Sequence, residues 1–293
     1  MNPKNNPYSN HAIFKSWNVI YPVFIYFVVT NIAMSLFAVF AAFLGADYQE
    51  QYMALQTAAV AVTIPFILRY YERDRKEPTV FWEHMRTAYE KKNQKQKIGN
   101  GILTFLIGAS VGMALNNVIA LTTLEEISEG YQEAAGYFFA GGILFELLGA
   151  CLLTPFLEEL LYRAVVYGRL CDLMIPDQEA DTEEKRKKRR RSRIIAMVFS
   201  ALLFGVLHMN LVQFVYAGIL GIMLAWLMEE TGHFYGALLA HIGANLTSVL
   251  RVETSWFAWM NQSKTVFAGV TAGLAVGSAV LIGGIWRLNR RKS

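Results

Sequence analysis

Residues 18–44 contain no Asp, Glu, Lys or Arg. Such a run leaves few options, because about 20 apolar residues rising 1.5 Å each along a helix cover the roughly 30 Å hydrocarbon core of a bilayer. Hydrocarbon offers no water to unpaired backbone groups, so the run must satisfy its own N–H and C=O groups as a helix. Seven further stretches read the same way: 52–68, 98–122, 136–168, 194–208, 211–228, 234–250 and 265–286. Of 293 residues, 54% are hydrophobic and only 17% charged, well away from the balance of a water-soluble domain. The expected fold class is therefore all-α: a polytopic membrane protein of about eight transmembrane helices, forming one integral membrane domain over 1–293. The first run follows only Lys4 and Lys15 and is too long for the apolar core of a signal peptide, so it reads as a retained helix.

Loop charges set the orientation, since Lys and Arg accumulate on the cytoplasmic side. Segments 69–97 and 169–193 carry nine basic residues each, the second including "KRKKRRRSR", and the tail ends "RLNRRKS". Between them lie loops without basic residues: 45–51 with Asp47 and Glu50, and 123–135 with Glu125, Glu126, Glu129 and Glu133. Eight spans with both termini in the cytoplasm fit this alternation. Glu229 and Glu230 fall on the cytoplasmic side, but acidic residues weigh little in the rule. The basic loop 169–193 beside a membrane helix reads as a topology anchor or a contact for anionic membrane lipids, not as a nucleic-acid patch. Cys151 and Cys171 are the only cysteines, too few for a disulfide framework or a thiolate metal site.

Once the loops are set aside, four charges remain inside the proposed spans: Glu146, Glu158, Glu159 and Arg163. All belong to the fourth, and three sit in "PFLEELLYR". An ionised side chain at membrane depth is costly unless it is paired or faces a wet cavity, so its default reading is functional. Glu159 and Arg163 are four residues apart, acid before base, and are expected to pair on one helix face. Glu158 points about 100° away and lacks that partner, which leaves it as the candidate general base. Glu146 lies about 18 Å earlier along the axis and is expected to stand outside this site.

His11 and His84 fall in cytoplasmic segments, and His233 sits at the mouth of a span as a capping or interfacial residue. The two remaining histidines lie within spans. His208 ends "FGVLH", sharing a face with Phe204, and His241 begins "HIGAN", sharing a face with Asn245. Counted from the cytoplasmic edges, Glu158, His208 and His241 lie roughly 15, 20 and 10 Å deep, which brings a carboxylate, two imidazoles and an amide to comparable depth. Gly205 and Gly243 would let the helices approach closely.

A carboxylate and a histidine can hold and deprotonate a water, while a second histidine and an amide can donate to an oxyanion. That is equipment for hydrolysing an amide bond. Glu158, His208 and His241 also form a zinc-compatible ligand set, so a metal-assisted version stays open. No HExxH, no GxSxG with a partner histidine and no paired YD and GxGD motifs occur.

The motifs "EELLYR" (Glu158 to Arg163), "FGVLH" (Phe204 to His208) and "HIGAN" (His241 to Asn245) resemble, in order, the EExxxR, FxxxH and HxxxN motifs of the CPBP intramembrane proteases. This is the CAAX-protease and bacteriocin-processing, or Abi, family, which includes the type II CAAX prenyl endopeptidases. The resemblance covers 136–250, the expected catalytic core. It implies that Glu158 and His208 activate water and that His241 and Asn245 stabilise the oxyanion, with Glu159, Arg163 and Phe204 in support. It further implies a membrane-associated peptide or protein substrate, prenylated or leader-bearing, cleaved toward the cytoplasmic half of a bilayer, with a bacterial plasma membrane as the expected location. Two other classes fit the same cluster: a non-catalytic scaffold or immunity protein of the same family, and a proton-coupled carrier using Glu158 and the histidines as a relay.

Overall fold

The computed structural model describes residues 12–175 and 182–290, and among these every regular element is helical. Eleven helices follow in order: α1 (Ala12–Phe43), α2 (Tyr48–Asp74), α3 (Val80–Glu90), α4 (Gln94–Ala120), α5 (Leu124–Ile127), α6 (Glu129–Phe138), α7 (Ile143–Met174), α8 (Glu183–Val206), α9 (Leu211–Thr231), α10 (Phe234–Glu253) and α11 (Lys264–Arg290). A short 3-10 turn, Ala258–Gln262, precedes the last. His11, residues 176–181 of the basic loop and the last three residues of the tail lie outside the described residues.

Polar side chains start these helices. Asp47, Thr79, Thr182 and Asn210 each accept a hydrogen bond from a backbone N–H in the first turn of α2, α3, α8 and α9, and Asn93 forms a reciprocal capping box with Gln96 at α4. Gly232 ends α9 at φ 75°, and a Cβ there would meet the backbone N of Tyr89 at 2.5 Å, so both conformation and space require glycine.

Five helices, α1, α2, α4, α9 and α11, are long and apolar enough to cross a membrane; counting α6 with α7 as one bent span makes six. The eight expected spans differ from this in three places. The fourth is not one straight helix from residue 136, because α6 and α7 meet at 103° before Ile143. The segment 169–193 is not a plain loop, because α7 runs on to Met174 and α8 begins at Glu183, its basic run continuing as helix from the Thr182 cap. That run, with the polar residues of α10, is why α8 and α10 fall short on composition.

The molecule is built around α7. Leu157, Leu160, Leu161, Tyr162, Arg163, Ala164, Val165, Val166 and Tyr167 are all buried, so over residues 157–167 this helix is enclosed on every side. At its basic end Arg169 ties three helices together, donating to Asp74 of α2 and to the backbone carbonyl of Asn18 in α1. On the other flank α10 lies flush against α4. A Cβ on Gly108 would overlap the backbone of Ala240, one on Gly112 would sit 2.8 Å from Ala244 Cα, and one on Gly243 would overlap the carbonyl of Phe105. Small residues here let two backbones touch, as in other membrane helix pairs.

Candidate active site

The site forms where α7, α8 and α10 converge, and its local backbone departs from a regular α-helix. Within α7 the stretches Glu146–Leu153 and Glu159–Tyr167 have the wider π-helical winding, with Thr154–Glu158 as one α turn between them. In each π stretch a backbone carbonyl accepts from a neighbouring helix: Ala150 from Asn245 Nδ2 at 2.8 Å, and Tyr162 from Ser200 Oγ at 2.7 Å. Such widened turns recur at functional sites. They fasten α7 to α8, just ahead of His208, and to α10, which carries His241.

The two adjacent glutamates do different things. Glu159 is wholly buried and committed: Oε2 lies 3.1 Å from Arg163 Nε, off the line of a good hydrogen bond, and Oε1 lies 2.8 Å from His241 Nδ1. The pairing with Arg163 is the one expected from spacing; the bond to His241 joins positions 82 residues apart and was not. Glu158 keeps slight exposure, and its nearest ionisable partner is His241 Nε2 at 3.8 Å from Oε2, beyond hydrogen-bond length. One imidazole thus bridges both carboxylates.

Phe204 sits at the hub of the remaining groups. Its ring centroid is 5.0 Å from that of His208, 5.7 Å from His241 and 5.1 Å from Tyr162, and the Arg163 guanidinium carbon lies 4.4 Å from it. The guanidinium is buried and its nitrogens have no hydrogen-bond acceptor, so the π face adds to the compensation that the Glu159 carboxylate gives its charge. A Cβ on Gly221 would come within 3.1 Å of Arg163 Nη2, so α9 also closes around this cation.

His208 does not end a helix, as the span 194–208 implied, but lies in the turn after α8, with Nδ1 2.9 Å from the Phe204 carbonyl. Met209 beside it has φ 59°, the one left-handed non-glycine among the described residues, and Asn210 Nδ2 holds the His208 carbonyl at 3.0 Å. Strained backbone at such a place is a frequent mark of functional turns. Asn245 spends one amide N–H on Ala150 and retains a second. Glu146 is wholly buried and hydrogen-bonded to no motif residue.

Two contributors lay beyond the reach of sequence reasoning. Tyr26 of α1 stands within electrostatic range of Glu158, and Tyr162 packs on Phe204. Tyr162 falls inside the "EELLYR" string, but nothing in a run of apolar residues distinguishes Tyr26. As to a metal, no group of three or more His, Cys, Asp or Glu side chains among the described residues is gathered so as to hold one. Glu158, His208 and His241, the three expected to form such a set, are therefore not gathered around a common point among the described residues.

Residues 140–247 match the family model described as type II CAAX prenyl endopeptidase Rce1-like. The match takes in all three motifs and leaves Tyr26 of α1 outside it. No curated protein and no solved structure matches the chain.

Proposed function

We propose, for a chain whose residues 140–247 belong to the type II CAAX prenyl endopeptidase Rce1-like family, that this integral membrane protein is an intramembrane endopeptidase acting on a membrane-associated peptide through Glu158. The observation that carries the reading is the division of labour between the glutamates. Glu159 is spent on Arg163 and His241, whereas Glu158 has no hydrogen-bond partner of its own and faces His241 across 3.8 Å. A water bound at the apex of that pair would reach both groups.

In this reading Glu158 takes a proton from the water as its oxygen attacks the peptide carbonyl carbon, and returns it to the leaving nitrogen as the C–N bond breaks. His208, its Nδ1 anchored on the Phe204 carbonyl, holds the water from the α8 side. Glu159 holds His241 by Nδ1 and so turns Nε2 toward the developing oxyanion, with the second N–H of Asn245 beside it. Arg163 balances the Glu159 charge throughout. The scheme asks nothing of a metal, in keeping with how the donors are arranged.

The same reading includes eight crossings, α8 and α10 among them, with both termini on the cytoplasmic side. The catalytic core is 136–250, shortened at its start by the bend before Ile143. The test is purified protein in detergent, offered a peptide library with and without prenyl groups. Cleavage by wild type that is lost in Glu158→Ala and His208→Ala supports the proposal; equal products from all three would refute it.

A further inference from the structure

At the basic end of the bundle, the α3–α4 turn, the start of α8 and the ends of α9 and α11 enclose a cavity of about 1390 Å³ that contains none of the motif residues. Lys91 and Lys92 contribute from the turn, Arg190 and Arg193 from α8, and Arg290 from α11. Two acids also line it, but both are engaged: Glu229 accepts from Tyr167 and faces His84 and Arg193, while Glu230 pairs with Arg290 at 3.2 Å. The cavity is therefore strongly cationic after internal pairing. Two buried donors on its wall, Arg193 Nε and Asn289 Nδ2, have no acceptor. Buried donors left in this way favour a ligand rich in acceptor oxygens.

The rest of the wall says which kind. Trp226, Trp286, Ile194 and Met197 line the same cavity, with Ile194 and Trp286 about half exposed where the apolar stretches of α8 and α11 begin. Tryptophan favours the membrane–water interface, and basic pockets between helix ends suit lipid head groups. A free phosphate would use the cations but not this apolar rim.

We infer that this cavity is a binding site for an anionic phospholipid, its phosphate held by Lys91, Arg190 and Arg193 and its acyl chains leaving past Ile194 and Trp286. The site is separate from the peptidase centre, since Arg193 and His208 are about 22 Å apart along α8 and the turn after it.

The test uses the full chain in neutral detergent, titrated with short-chain phosphatidylglycerol, phosphatidylcholine or pyrophosphate and followed by intrinsic tryptophan fluorescence. Saturable binding of phosphatidylglycerol is expected, weakened about 30-fold in the double variant Lys91→Gln/Arg190→Gln and about fivefold in each single variant, at about 1 kcal/mol per surface cation. The comparison is Lys188→Gln/Arg191→Gln, which removes equal charge, all of it from α8 and outside the cavity, and should shift binding less than threefold. Equal loss in both double variants would mean diffuse attraction to a basic helix and would overturn the site. So would no loss in either, an equal response to phosphatidylcholine, or variant-sensitive binding of pyrophosphate without binding of the lipid.

Discussion

A carboxylate buried in a membrane protein must be paired or useful, and at positions 158 and 159 both answers stand side by side. The distinction is measurable. Glu158→Gln loses no hydrogen bond, so it should leave thermal stability within about 0.5 kcal/mol of wild type while lowering peptide cleavage by 10²- to 10⁴-fold, about what a general base contributes. Arg163→Met should behave in the opposite way. It strands the buried Glu159 charge and should cost about 3–5 kcal/mol, read as a fall in the thermal midpoint in detergent. The double variant Glu159→Gln/Arg163→Met removes both charges and should recover much of that loss, because desolvation no longer opposes folding. If the double variant is as unstable as the sum of the singles, Glu159 and Arg163 are not acting as a pair. The pairing itself was legible, since four residues of helix separate the two; the bond from Glu159 to His241 was not, because no local pattern reports which helix comes to lie against which.

At the scale of the element, helices are held by glycine and started by caps. Gly108 faces the backbone of Ala240, the residue before His241, and that backbone cannot move aside as a side chain would. Gly108→Val should therefore push α10 from α4, lowering the thermal midpoint and abolishing cleavage together, unlike Glu158→Gln, which separates the two readouts. Gly205 and Gly243 were expected from the sequence to allow close approach, and both do: a Cβ on Gly205 would lie 2.9 Å from the Phe214 carbonyl. Gly108 gave no such signal, since its partner, Ala240, lies far along the chain. The π-helical winding of α7 was equally silent, because Ala150 and Tyr162 reveal their spare carbonyls only once Asn245 and Ser200 are in place. A second prediction concerns the α10 cap. His233 Nδ1 accepts the N–H of Tyr235, which needs a neutral ring, and burial, aided by the Arg75 charge, pushes its pKa down to about 4. The unfolded chain takes up this proton near pH 6.5 and the folded chain only near 4, so the contribution is complete above 6.5 and is lost as pH falls between those values. Comparing thermal midpoints at pH 7 and 4.5 should give a smaller drop for His233→Asn, which still caps but does not titrate. An identical drop would remove His233 from the account.

At the scale of the whole molecule, charge asymmetry and the three motifs were visible in the sequence because each is a local or statistical property. The bend before Ile143 was not, since hydropathy alone cannot separate a lipid-facing run from an apolar segment lying across the helix ends. The same limit makes the crossings of α8 and α10 a matter for experiment, as both helices carry polar residues that the site requires. The chain suits that experiment, for its two cysteines, Cys151 and Cys171, are both buried. An introduced cysteine at an exposed position should then be the principal target of a membrane-impermeant maleimide. With eight crossings, Lys188→Cys and Arg287→Cys label only after the cytoplasmic face is opened, whereas Glu126→Cys and Trp256→Cys label in intact cells. Lys188 precedes the apolar part of α8 and Trp256 follows α10, so opposite labelling of that pair requires one or three crossings between them, and Met209→Cys, exposed in the turn before α9, labels in intact cells only if α8 crosses. Labelling of Trp256→Cys and Arg287→Cys from the same side would mean that α11 does not cross. Labelling of Lys188→Cys in intact cells would place the basic cavity, and the lipid site within it, on the outer face, against the direction in which arginine and lysine normally orient a membrane protein.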